Sequence, residues 1–224
     1  MKNAMRPAMR SAMVAHRVPV STHHGFTMVE LLITVVILAV LAAIAVPSMR
    51  EFIARQRVES IAKELATDLR YLRTKALEGT APVRIKFGSN SASTCYVMFK
   101  VGAGGVDCNC ARTDGLPSCG NAGGRGTELK TVSIPKDRLV TVAAVVANDD
   151  NPARLELEGF NGLPVYNTVT GKHQTIVACV AGTGIGGELR VYTTDGELIL
   201  PKLCSVGGRH GAFPSCPTSQ RCPS

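Results

Sequence analysis

The 224-residue chain contains no tryptophan, and its aromatic residues make up only 4% of it. A core is still within reach, because 45% of the residues are hydrophobic, but Val, Ile, Leu and Ala have to build it. Catalytic signatures are missing as well: there is no G-x-S-x-G, no H-E-x-x-H and no Walker loop. Of five histidines, His16, His23 and His24 fall in the first 24 residues, leaving His173 and His210 far apart in sequence. Gly182-Thr183-Gly184-Ile185-Gly186-Gly187 looks superficially like a phosphate-binding loop, yet neither a helical pattern nor a Lys-Ser/Thr pair follows it. An enzyme is therefore not expected, nor is a cofactor or a metal.

Acidic residues are absent before Glu30, whereas Lys2, Arg6, Arg10 and Arg17 precede Gly25. Much of the formal charge of +8 belongs to this segment; without it 21 basic residues face 17 acidic ones. A nucleic-acid binder normally shows a concentrated basic patch, which that balance does not supply. Eight cysteines read as disulfides in a translocated domain and as metal or redox chemistry in a reducing compartment.

The N-terminal segment decides between those readings. After Gly25-Phe26-Thr27-Met28-Val29-Glu30 comes an apolar run from Leu31 to Val46, then Pro47. As a helix, Phe26–Val46 spans about 31 Å, the thickness of a bilayer core. The basic flank is expected to stay cytoplasmic while the rest crosses. In a secretory signal the small-residue cleavage site follows the apolar stretch. Here Gly25 precedes it, so a cut after Gly25 leaves the apolar helix on the mature protein. Glu30 is the second oddity, since an unpaired carboxylate inside a membrane costs about 3 kcal/mol. Cleavage would create its partner, a new amino terminus at Phe26, on the same or a neighbouring chain. A plain single-pass anchor would account for the run and its flank, but not for Glu30 or the Gly-Phe junction.

Beyond Pro47 the pattern turns amphipathic. Val58, Ile61, Leu65, Leu69, Leu72 and Ala76 recur at spacings of three and four, with Arg, Lys, Glu and Asp on the other faces. That helix is expected to end near Gly79 and Pro82. Strand patterns follow at Val83–Phe87, Cys95–Val101, Leu129–Ile134, Leu139–Val146, Arg154–Leu157 and Thr175–Val180. Glu188–Tyr192 and Glu197–Leu200 flank Thr194-Asp195-Gly196, a hairpin signal. The expected fold class is α+β: a long N-terminal helix, half transmembrane, packed on an antiparallel β-sheet domain. The expected division is a leader at 1–25, a membrane and assembly helix at 26–47, and an amphipathic helix at 48–80. A β-rich domain at 81–203 and a basic, Cys-containing tail at 204–224 complete it. A Cys- and Gly-rich stretch at 102–126 reads as a disulfide-tied loop. Asp107, Asn109 and Asp114 there do not match EF-hand spacing. The later cysteines are expected to pair Cys216 with Cys222 and Cys179 with Cys204.

Gly25 to Glu30 and the run behind it resemble the prepilin signal of type IV pilins and type II secretion pseudopilins. The resemblance implies a prepilin peptidase that cuts after Gly25 and methylates Phe26. It also implies that Glu30 pairs with the terminus of an adjacent subunit, and that Pro47 kinks the helix. Leu69-Arg70-Tyr71-Leu72-Arg73-Thr74-Lys75-Ala76-Leu77 followed by Pro82-Val83-Arg84-Ile85 is similar to the GspH/FimT family of minor pilins, with 102–126 as an insertion. The implied role is a structural subunit, anchored in the bacterial inner membrane with a periplasmic domain. It would help initiate or cap a type II secretion pseudopilus or a type IV pilus, alongside other pilins and an inner-membrane assembly platform. The alternative is a DNA-binding minor pilin of natural transformation. Relatives of that kind use Gly-Arg-x-Arg, whereas this chain has Gly196-Glu197-Leu198-Ile199 and Gly208-Arg209-His210-Gly211. Only Lys202, Arg209 and Arg221 remain as phosphate contacts on a mobile tail, a weak and salt-sensitive set.

Overall fold

A computed structural model describes residues 25–120, 126–184, 186–195, 200–208, 210–218 and 222. The expected leader, residues 1–24, lies outside them. The chain divides into two compact units after Ile44. A single helix assignment, α1, runs from Met28 to Leu77 and takes in both expected helical segments. Every described residue from Gly25 to Val46 is exposed, and these residues are almost all apolar. By length and composition this is a helix able to cross a membrane.

In the second unit, α1 buries one stripe. Val58, Ala62, Leu65, Leu69, Leu72 and Ala76 are fully buried, and Ala66 nearly so. They share a core with two antiparallel sheets. The first has the order β3-β2-β1-β5, built from β1 (Val83–Ser89), β2 (Ser93–Lys100), β3 (Thr127–Pro135) and β5 (Arg154–Leu157). The second has the order β10-β9-β8-β4, from β4 (Val140–Ala147), β8 (Thr175–Gly182), β9 (Glu188–Tyr192) and β10 (Lys202–Val206). A small hairpin pairs β6 (Tyr166–Asn167) with β7 (Lys172–His173). Alternation explains the strands: Val83, Ile85 and Phe87 of β1 point to the core, and so do Val140, Val142, Ala144 and Val146 of β4. The fold is one long N-terminal helix packed through its C-terminal half on antiparallel sheets.

Close approach explains the glycine run after β8. A Cβ on Gly182 would lie 2.8 Å from the Gly186 Cα and 2.9 Å from a Val58 methyl. The Gly182 and Thr183 amides donate to the carbonyls of Gly187 and Leu139, both at 2.8 Å. The run is a packing device against α1, and those two amides are already taken.

Each sheet also buries residues on its outer face. On β2, Thr94, Tyr96 and Met98 are buried on one side, and Cys95, Val97 and Phe99 on the other. The outer face lies beneath the loop after β2, which bonds Cys95 to Cys110 and Cys108 to Cys119. On the second sheet, Cys179 of β8 bonds Cys222, and Cys204 of β10 bonds Cys216. This replaces the expected pairs Cys179–Cys204 and Cys216–Cys222. Arg190 of β9 stands opposite both Cys179 and Cys204, so β9 separates them. Two strand spacings are about 9.5 Å, beyond the roughly 7 Å that a disulfide tolerates between Cα atoms.

The second correction concerns the hairpin and tail. The strand paired with β9 is Lys202–Val206, with Lys202 opposite Tyr192, so the connection is longer than a tight turn at Asp195. Residues 196–199, which include most of the expected strand Glu197–Leu200, lie outside the described residues. Lys202 and Cys204 therefore belong to the sheet rather than to a mobile tail. Beyond β10 the chain is tied back: the Ser205 amide donates to the Pro214 carbonyl at 2.8 Å, and the Cys216 amide to the Ser205 carbonyl at 3.1 Å. His210 is buried, its Nε2 lying 3.0 Å from the Gly186 carbonyl.

Candidate functional site

The candidate residues Gly25, Phe26 and Glu30 lie at the start of α1. Gly25, Phe26 and Thr27 are non-helical, and the helix begins at Met28. Thr27 caps it: its Oγ1 accepts the Glu30 amide at 3.2 Å, and its carbonyl accepts the Leu31 amide at 3.1 Å. Thr27-Met28-Val29-Glu30 has the spacing of a capping box, with Glu30 in the third helical position. A carboxylate in the first turn also suits the positive end of the helix dipole. The same dipole disfavours a cation there, and an amino group on Phe26 would be one. Reading Glu30 only as a charge partner overlooks Thr27, although the T-x-x-E spacing signals the cap.

Phe26 is 82% exposed, and so is the rest of the apolar helix face, through Ile44 at 71%. Pro47 lies inside the span of α1. Without an amide hydrogen it leaves the Ala43 carbonyl lacking its usual helical donor, which weakens the helix there.

Of the basic residues put forward for phosphate contact, one falls among the described residues. Lys202 sits on β10, and Arg209 and Arg221 lie outside the described residues. The acids of the Cys-rich loop are occupied. Asp107 accepts from Arg84 at 2.8 Å and Lys86 at 3.3 Å and pairs with Arg154 at 3.5 Å, while Asp114 pairs with Arg112. Among the described residues, one set of metal-type ligands converges, Cys179, Glu188 and Cys222. Both of its sulfurs are in a disulfide, which leaves one carboxylate to offer.

Residues 21–46 match the family model of the prokaryotic N-terminal methylation motif. The chain is 34% identical over 67 residues to a type IV major alpha-pilin of Moraxella bovis, covering 30% of this chain and 42% of that protein. It is 31% identical over 101 residues to the type IV major fimbrial protein FimA of Dichelobacter nodosus, covering 45% of this chain and 53% of that one. The chain thus spans about half the length, or less, of the curated relatives it matches. Among solved structures, the type IV minor pilin FimU of Pseudomonas aeruginosa aligns with a TM-score of 0.39 and 15% identity, over 77% of this chain and 97% of that one. The methylation motif lies over a capped, exposed apolar helix, and in its N-terminal part the chain is similar to type IV pilins.

Proposed function

We propose that this chain is a minor pilin-like structural subunit, not an enzyme, that enters a filament through its N-terminal helix. The observation that carries the reading is Glu30: a carboxylate in the first turn of α1, at the head of an exposed apolar run and four residues after the Phe26 of a Gly-Phe junction. A prepilin peptidase cuts after Gly25 and methylates Phe26, and the new terminus becomes the partner of Glu30 on a neighbouring subunit. Until assembly, the helix resides in the bacterial inner membrane with the disulfide-bonded domain in the periplasm. Four disulfides accord with an oxidising compartment. At the finest level, the subunit helps to start or cap a type II secretion pseudopilus or type IV pilus on an inner-membrane assembly platform. The DNA-uptake alternative would draw on Lys202, which sits on β10.

The test is Glu30→Ala. Membrane fractionation is expected to be unchanged, while co-purification with partner pilins in sheared filament fractions is lost. Normal incorporation of the variant would overturn the proposal.

A further inference from the structure

The part of α1 just beyond the apolar run carries a basic groove that filament entry does not explain. Arg50, Ile53 and Arg57 recur at helical spacing, so they share a face. That face and the turn holding Arg138, Leu139 and Val140 enclose a groove of about 390 Å³. Through Arg57 and Arg138 it continues into a second hollow of about 350 Å³. The floor is apolar, and no carboxylate lines either hollow. Acids elsewhere on the helix are spent on other cations: Glu51 on Arg55, and Glu59 on Lys63. Arg50, Arg57 and Arg138 have no carboxylate partner among the described residues. Arg57 reaches only the Arg138 carbonyl, at a long 3.5 Å. Leu139 adds a second sign: a bulky residue held at φ 59° and 59% exposed, so strain and apolar exposure coincide at the groove edge.

Chain position selects the occupant. Arg50 follows Val46, the last residue of the apolar run, by four positions. Four residues reach about 6 Å as helix and at most about 14 Å extended. Arg50 is thereby tethered at the depth of the headgroup layer, which extends roughly 5–8 Å beyond each side of the hydrocarbon core. Helical side chains tilt toward the N-terminus, so Arg57 reaches back along the groove toward Arg50. Guanidinium groups bind phosphate oxygens in a bidentate fork. A positive rim over an apolar floor suits a phosphodiester with its glycerol and upper acyl carbons.

We propose that this groove docks the headgroup of an anionic phospholipid next to the membrane helix. The proposal rests on the membrane-anchor reading and not on any role in a filament. Its test uses the full chain in non-ionic detergent, titrated with mixed micelles of phosphatidylglycerol or phosphatidylcholine, with inorganic phosphate and with a short DNA duplex. Phosphatidylglycerol is expected to show a salt-sensitive binding component beyond the salt-insensitive partitioning that it shares with phosphatidylcholine. Arg57→Gln with Arg138→Gln is expected to weaken binding by roughly tenfold or more, at about fivefold per arginine. Arg70→Gln, on the exposed side of the helix, is expected to leave it unchanged. Disulfide mapping of each variant confirms that it is folded. Equal binding of both lipids, or an unaffected double variant, overturns the proposal. So does displacement by equimolar inorganic phosphate, which would mark a simple anion site, or tighter binding of DNA through the same arginines. Failure of the anchor reading shows separately, as a full chain that does not partition into phosphatidylcholine vesicles.

Discussion

Asp68 is a buried carboxylate on α1, and it is held by three hydrogen bonds from two residues. The Tyr96 hydroxyl donates to Oδ2 at 2.7 Å, and Lys130 Nζ lies 2.8 Å from Oδ1 and 2.7 Å from Oδ2. Lys130 also reaches Glu64 at 2.9 Å. Nothing in the pattern of α1 distinguishes Asp68 from its solvated neighbours, because the groups that bury it come from β2 and β3. Burial, with the hydrogen bond to Asp68 behind it, pushes the Tyr96 hydroxyl well above its ordinary 10.0. For Lys130, burial acts downward, but the bonds to Asp68 and Glu64 outweigh it and the net direction is up. Both groups keep their protons in the fold at a pH where the unfolded chain releases them. Their stabilisation is therefore complete below about pH 10 and fades as the pH climbs toward the folded values. Tyr96→Phe is expected to cost about 1.5–3 kcal/mol at pH 7. The gap from wild type is expected to narrow by about 1 kcal/mol at pH 11. Denaturant titrations at the two pH values check it; a gap constant with pH would refute the linkage.

At the scale of elements, each sheet shares a core with α1 on one side and carries a disulfide-held segment over part of the other. For the first sheet, an ion network backs the disulfides. Arg84, a residue of β1, donates to Glu156 at 2.7 Å and to Asp107 at 2.8 Å, while Arg154 pairs with Asp149 at 3.0 Å. Cys108 and Cys119 are buried with Val97 and Phe99, so that bridge both closes a loop and covers apolar surface. Replacing both with serine is expected to cost about 3 kcal/mol on loop entropy alone. It is also expected to open Val97 and Phe99 to an apolar fluorescent dye, which thermal melting with dye binding reads out together. The strands themselves were legible from alternation at β1, β4, β5 and β9. The partner of β9 was not: Asp195-Gly196 signals a tight turn locally, but pairing Lys202 with Tyr192 is settled by which residues complete the sheet. The cysteine pairs were hidden for the same reason, since sequence distance says nothing about an intervening strand.

For the whole molecule, the order of events follows from where the apolar helix begins. Under the proposed function, a cut ahead of it would release the basic leader and retain the anchor, so that maturation and anchoring would be one design. Gly25→Ile is expected to block that cut, because a branched side chain replaces the hydrogen at the scissile residue. The precursor would then run about 25 residues heavier on a gel, with α1 still inserted. A cleaved product of normal size would count against Gly25 as the processing site.

The segment proposed for anchoring and assembly is local, and the sequence alone was enough to single it out. Gly25, Phe26, Thr27 and Glu30 sit within six residues, and the apolar run is continuous, so no distant contact is needed to recognise them. The amphipathic stripe from Val58 to Ala76 was equally plain, because a helix sets its own period. Tertiary structure decided what joins residues far apart in the chain: the disulfide partners, the burial of Asp68 against Tyr96 and Lys130, and the meeting of Arg50 and Arg57 with Arg138. Each depends on the register and order of strands, and register is fixed by which face of a strand is buried against the rest of the fold.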